Sequence, residues 1–265
     1  MRLDLLSWNV HGPPLAPRRA TRLNAVGLEI ERRAPEIALL QEVWFGRDAA
    51  ALARQLAPRY DVVDGAPRVR PVRAGGLLAF IRRDSEWRVA DRGVRFERYR
   101  AQAARWRVWE GDGLAGKGIQ IIPLVHRAAG RSIVMAHTHL QAQYEPIRHA
   151  RPRGAQLTQL ARVAVTFGAA TPVLAAGDLN TGPDDALYRD LIAPIWIDLT
   201  APTRTARPAA STHFECASAP WIDYVLAHRS PHWSATGLLE LIENRSRDDP
   251  FSDHHGLHVR LQIEP

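Results

Sequence analysis

One cysteine in 265 residues, Cys216, leaves no internal disulfide on which the fold could depend. It assigns no compartment by itself. No stretch approaches the roughly 18 apolar residues of a membrane span. Met1-Arg2-Leu3-Asp4 leads straight into an alternating run, without a cationic segment followed by a long apolar one. The expectation is a soluble, cytoplasmic chain with no transmembrane segment; a signal segment removed earlier would place it outside the cell. Lysine is nearly absent too. Lys117 is the only one, so arginine supplies almost all of the 35 basic residues set against 28 acidic ones. The net charge of +7 favours anionic partners such as nucleic acid, phospholipid surfaces or phosphorylated small molecules. Read beside the abundant alanine and proline, the same arginine bias equally fits a GC-rich genome.

No repeat, low-complexity tract or linker breaks the chain. Residues 1–10 alternate apolar and polar side chains and stop at Gly12-Pro13-Pro14, the pattern of a strand and its breaker. Leu23, Val26, Gly27 and Ile30 recur at helical spacing within residues 20–33, and Pro35 ends that helix. Residues 37–40 form a short buried strand, and Asp48 is placed to cap a helix through Leu56. Further strands are expected over 60–63, 76–81, 88–94, 106–110, 119–125, 132–139, 172–176, 221–227, 235–240 and 257–263. Helices are expected over 153–167, through Leu157, Leu160, Ala161 and Ala164, and over 184–191. Residues 200–216 and 244–251 read as the most mobile loops. Many strands, few helices and polar motifs running from residue 9 to residue 255 point to one α+β or α/β domain over 1–265.

Those motifs carry the chemistry. Each follows or lies in an apolar run, so each delivers polar groups to a sheet rim. Glu42 stands just past a buried strand, where a hard cation could take its carboxylate and complete its shell with water and phosphate oxygens. Taken alone, it reads as well as a solvated loop residue. In Gly177-Asp178-Leu179-Asn180 an extended backbone points Asp178 and Asn180 to one side, where they could orient water and hold a phosphoryl oxygen. Asp and Asn also form turns, and Thr181-Gly182-Pro183 is one. Ser252-Asp253-His254-His255-Gly256 puts an acid and an imidazole before the last strand. Asp223, between Ile222 and Tyr224, is costly to bury unpaired, so a His254–Asp223 dyad is expected for proton traffic. The competing reading makes the two histidines decorations of a surface turn. Of His137 and His139, spaced like a weak zinc pair, His139 is the better phosphate donor and His137 a packing or outer residue. Gly111 to Gly118 reads as a P-loop manqué: Gly118 stands where Mg²⁺ binding requires Ser or Thr. A glycine-rich hairpin fits better, with Lys117 still able to meet an anionic substrate.

In this order Ser7-Trp8-Asn9, Leu40-Gln41-Glu42, His137-Thr138-His139, Gly177-Asp178-Leu179-Asn180 and Ser252-Asp253-His254 resemble the endonuclease/exonuclease/phosphatase superfamily, with its pancreatic-deoxyribonuclease-like fold. The resemblance covers nearly the whole chain. It implies an α+β, four-layer α/β sandwich, in which two packed, mostly antiparallel β-sheets are flanked by helices. It also implies metal-assisted in-line attack of water on phosphorus. Asn9 and Glu42 would bind Mg²⁺ (or Mn²⁺ or another divalent cation), with Asp253 near or on the metal. His139 would contact the scissile phosphate, Asp178 and Asn180 would position water and phosphate, and His254 would pair with Asp223. The base, Asp178 or the dyad, and the metal count stay open. His139-Leu140-Gln141-Ala142, Tyr144, Arg153-x-x-Gln156 and Gly116-Lys117-Gly118-Ile119 resemble the neutral sphingomyelinase branch. The implied substrate is a phosphodiester in a phospholipid, met at a membrane surface, although most of the tryptophans should be core residues. The rivals are a DNA or RNA nuclease, an inositol-phosphate phosphatase and, in another class, an inactive binding module on the same scaffold.

Overall fold

The structure is a computed structural model that describes residues 1–13, 16–65, 68–69, 72–91, 93–102, 116–143, 149–169, 171–207, 211–212, 220–243 and 251–264. Period-2 patterning decides which way each strand faces. In Arg2–Asn9 (β1), Leu3 and Leu5 enter a core between two sheets, while Leu6 and Trp8 enter a second core beneath helices. Ile37–Gln41 (β2) repeats this, with Ile37 and Leu39 on one side and Ala38 and Leu40 on the other.

The first sheet runs in the order Ser234–Ile242 (β14), Gly256–Glu264 (β15), β1, β2, Leu78–Arg82 (β6) and Tyr60–Val63 (β3). The second runs Trp196–Asp198 (β12), Asp223–His228 (β13), Val173–Asp178 (β11), Ser132–His139 (β10), Gly118–His126 (β9) and Trp87–Val89 (β7). Arg95–Arg98 (β8) also pairs with β9, and Arg68–Val69 (β4) pairs with Val72–Arg73 (β5). β1 with β2 and β10 with β11 are parallel; every other described pair is antiparallel. Arg19–Arg33 (α1) and Gly46–Leu56 (α2) bury Leu23, Val26, Ile30, Leu52 and Leu56 against the outer face of the first sheet. Ala150–Gly168 (α3) packs its Leu157, Leu160 and Ala164 onto β10 and β11. The result is the expected α+β sandwich of four layers. Trp8, Trp87, Trp196 and Trp221 are buried in it. No described helix is long and apolar enough to cross a membrane.

Four local expectations change. Of the strand expected over 88–94 only Arg88 and Val89 pair, as part of β7; Gly93 at φ 74° turns the chain, and β8 begins beyond it at Arg95. Phe45, not Asp48, occupies the N-cap of α2; Asp48 lies in its first turn, where its carboxylate meets Arg19 Nε at 2.9 Å. The helix expected over 184–191 begins only at Ala186 and runs as a π-helix over Tyr188–Ile192. The loop expected from residue 200 contains the helix Ala201–Ala206 (α4). The strand expected over 106–110, Gly111, Tyr144, Cys216 and residues 244–250 lie outside the described residues.

Candidate active site

Sheet register assembles the site. His139 closes β10 opposite Asp178 of β11, and Asp178 faces Asp223 of β13, so three polar residues form one row across three strands. Two carboxylates directly opposite one another repel. His254 answers that repulsion: its Nδ1 lies 2.7 Å from Asp223 Oδ2, and its Nε2 lies 3.8 Å from Asp178 Oδ2 and 3.9 Å from Asp253 Oδ1. All four members of this group are at most 4% exposed. The surface-turn reading of His254 therefore fails, whereas the expected contact with Asp223 is present. Asp223 is not mid-strand, however. It opens β13, where Thr212 Oγ1 accepts from its backbone N–H at 3.2 Å and from that of Ile222 at 3.0 Å.

The first sheet supplies the facing wall. Asn9, last in β1, donates through Nδ2 to Glu42 Oε1 at 3.3 Å and to Asp178 Oδ2 at 3.0 Å, so one amide ties the two sheets together. Glu42 follows β2 in the left-handed region, at φ 64°. Ser252 Oγ donates to Asn9 O at 2.6 Å and accepts from His254 N at 3.2 Å, fixing the segment that carries Asp253. Asp253 Oδ2 meets His11 Nδ1.

Asn180 arrives by a different route from the one its spacing implies. It is left-handed at φ 48°, not extended; its backbone N–H binds Asp178 Oδ1 at 2.8 Å and its Nδ2 binds Leu140 O at 3.1 Å. Turn and site are the same feature. Gly177 makes it feasible: at φ 139°, a Cβ there would lie 1.8 Å from Thr138 O. Leu140 O also accepts from Lys117 Nζ at 2.6 Å, which places the chain's single lysine, 1% exposed, against the site. Gln156 of α3 anchors the loop after His139 by accepting from Gln141 N at 2.8 Å.

Burial and neighbours divide the titrating groups. Burial and then the Asp223 charge push Asp178 up to about 7, despite His254 and Lys117 nearby. Glu42 is raised by burial and by Asp253. Burial opposes charge on His254, but Asp223, Asp178 and Asp253 outweigh it and hold the imidazole well above the usual histidine range. His139 is driven well below that range by burial and by the charges of Lys117 and His254; its Nε2 lies 3.4 Å from Asp178 Oδ2. The resting site thus contains a charged His254 and a neutral His139. His137 belongs elsewhere. Gln41 Nε2 donates to its Nε2 at 2.9 Å and its Nδ1 donates to Gln120 Oε1 at 3.0 Å, and burial lowers it to about 3. With both ring nitrogens engaged it is a polar pin between the sheets, which removes the two-histidine zinc pair.

Asp178, Asp223 and His254 offer ligand atoms within 4.8 Å of one another. Because His254 Nδ1 is committed to Asp223, that triplet is better suited to handling protons than a metal ion. Glu42 and Asp253, whose charges oppose each other, are oxygen donors whose repulsion a hard cation could relieve. Sequence reasoning missed His11 and underrated Lys117. His11 stands two residues past Asn9, and that proximity was the available signal.

Comparison with known proteins identifies relatives of the chain and of its fold. The model of the Endonuclease/Exonuclease/phosphatase family matches residues 6–254. Human sphingomyelin phosphodiesterase 2 is 28% identical over 193 residues, which span 70% of this chain and 42% of that protein. The inositol phosphosphingolipids phospholipase C of Schizosaccharomyces pombe is 29% identical over 187 residues, 68% of this chain and 42% of that one. The chain thus spans about two fifths of the length of these relatives. Humanized D. rerio TDP2 shares the fold, with a TM-score of 0.75 at 16% identity, covering 98% of this chain and 99% of that one. With a family model matched from β1 to His254, and the matched segments meeting at one buried site, the chain belongs to the endonuclease/exonuclease/phosphatase family.

Proposed function

We propose that residues 1–265 form the catalytic domain of a metal-dependent phosphodiesterase, which hydrolyses its substrate by in-line attack of water on phosphorus. The observation that carries this reading is the buried row His139–Asp178–Asp223, closed by His254 and faced by Glu42 and Asp253. So many ionisable groups are expensive to bury, and such clusters mark reaction sites.

Each residue receives a role from its environment. Glu42 and Asp253, with Asn9 beside them, hold a divalent cation, for which Mg²⁺ is the expectation from sequence. When bound, the cation neutralises charge on the phosphoryl oxygens. Asp178, poised at about 7 and fixed by Asn9 and the Asn180 backbone, accepts a proton from the attacking water. His254, kept charged by Asp223, stabilises the crowded transition state. His139 and Asn180 contact the phosphate. This choice makes Asp178 the base and the dyad the electrostatic partner.

The two relatives, a sphingomyelin phosphodiesterase and an inositol phosphosphingolipids phospholipase C, support a phospholipid substrate, cleaved at its head group where the domain meets a lipid surface. The test offers sphingomyelin vesicles, plasmid DNA and inositol phosphates to the purified chain, with a divalent cation and with EDTA. Release of a phosphorylated head group from vesicles, abolished by EDTA, is expected. Turnover of DNA alone would move the enzyme to the nuclease branch, and turnover of inositol phosphates alone to the phosphatase branch. Cation binding with no turnover of any ester would leave a binding module.

A further inference from the structure

The inward face of α3 begins with a residue that the fold has little reason to choose. Arg153, Gln156, Leu157, Leu160 and Ala164 form its buried stripe. At the head of that stripe, where an apolar side chain would pack most readily, stands an arginine only 1% exposed. Its charge lies near the helix N-terminus, where the dipole disfavours a cation, and no acidic residue occupies the first turn. Gln156 engages both ends of its amide, accepting from Gln141 N at 2.8 Å and donating to the Ala101 carbonyl at 2.9 Å. Arg153 does not. Its Nε and Nη1 have no hydrogen-bond partner among the described residues, and burial pushes the guanidinium below the usual arginine range. A buried cation so poorly satisfied opposes folding, and an apolar residue of similar volume is often neutral or stabilising in its place.

The engaged nitrogen supplies the reason for its presence. Nη2 donates to Gln143 Oε1 at 3.3 Å and lies 3.8 Å from Asp185 Oδ2. Gln143 belongs to the loop that follows His139. Asp185 closes the turn that follows Asn180, donating its backbone N–H to the Gly182 carbonyl at 3.1 Å. Its carboxylate is held in turn, since Oδ1 accepts from Leu187 N at 2.9 Å. The two segments already meet at their near ends through Asn180 Nδ2 and Leu140 O. Arg153 joins their far ends.

We propose that Arg153 is a positioning residue, whose guanidinium ties the loop after β10 to the turn after β11 and so sets the spacing of His139 and Asn180. This rests on the reading above that those two side chains contact the phosphate. Arg153 acts through them.

The test follows Arg153→Met, Arg153→Lys and Asp185→Asn in the whole chain with Mg²⁺. Three quantities are read: Tm, steady-state hydrolysis of bis-para-nitrophenyl phosphate, and calorimetric affinity for inorganic phosphate. Methionine keeps an apolar stem and removes the under-satisfied charge, so Tm should equal or exceed that of the wild type. Its kcat should nevertheless fall by about 10²-fold, with phosphate affinity falling too, because small misplacements of contacting groups are that damaging. Lysine can repeat both contacts of Nη2 with one ammonium, since neither is bidentate, and should return kcat to near the wild-type level. Asp185, with 34% of its side chain exposed, tests the same tie outside the core. Asp185→Asn should also lower kcat, and adding Arg153→Met to it should lower kcat little further. Unchanged kcat and phosphate affinity in Arg153→Met would overturn the proposal. So would a joint loss of Tm and kcat that lysine fails to reverse, which would make Arg153 a packing residue. A wild type that hydrolyses no ester would overturn the phosphodiesterase reading instead, and phosphate affinity would still decide the role of Arg153.

Discussion

Asp178 faces a carboxylate across one strand pair and an imidazole across the other, and both partners shape what it does. Its carboxyl, pushed up to about 7, lies far above the ordinary aspartate value of 3.8, so the folded protein holds a proton there that the unfolded chain releases. The associated stability is fully present below the unfolded value and is lost as pH rises through the folded one. Asp178→Asn should therefore raise Tm at pH 8 and change it little at pH 3.5, by about 2–4 °C for each kcal/mol recovered. The same substitution should lower kcat by about 10²–10⁴-fold. A fall in Tm at pH 8 would make the carboxylate a structural turn residue. In the active enzyme the rising limb of the rate profile should lie near pH 7, as Asp178 ionises, and the falling limb above the usual histidine range, as His254 loses its proton. Asp223→Asn removes the charge that holds His254 up, so the falling limb should move to lower pH; an unmoved limb would take Asp223 out of the mechanism. Asp223→Ala and His254→Ala should also be non-additive, the double variant losing little more activity than either single one.

At the scale of elements, legibility followed from how local each signal was. Period-2 and helical patterns were plain enough to place β1, β2, β10 and α1, and the strand tips carrying Glu42, His139 and Asp178 came with them. Position on a rim could be read from a strand's end. Orientation within the rim could not, because it depends on which strands pair. Nothing near residue 178 announces that Asp223 stands opposite it, and nothing near residue 117 announces that its ammonium reaches the Leu140 carbonyl. Left-handed turns escaped for another reason: the side chains of Asp178 and Asn9, two residues back, bind the Asn180 and His11 backbone N–H groups, and Arg22 adds a longer-range contact to the His11 carbonyl, none of which a hydrophobic period reveals. Gly177 is the hinge of this arrangement. Gly177→Ala should destabilise the fold by about 1–3 kcal/mol or more in urea denaturation, since its Cβ would strike the Thr138 carbonyl oxygen. A variant as stable as wild type would mean that β10 and β11 can separate without cost.

At the scale of the whole molecule, two sheets that each present a rim of polar residues acquire a site only by packing face to face. Asn9, bonded to Glu42 on its own sheet and to Asp178 on the other, is the visible seam. The net charge of +7 adds a general attraction for anions without selecting one. The chain spans about two fifths of the length of the relatives it matches. Chemistry at the seam is the more basic matter. The measurement that reaches it is hydrolysis of a phosphodiester in ¹⁸O-labelled water, by wild type and Asp178→Asn, each with and without a divalent cation. Water attacking phosphorus predicts one ¹⁸O in the phosphate product of the cation-loaded wild type, with turnover abolished by EDTA and nearly so by the substitution. Label found in the alcohol instead, or a folded, cation-bound wild type that leaves the ester intact, would contradict a phosphodiesterase built on this site.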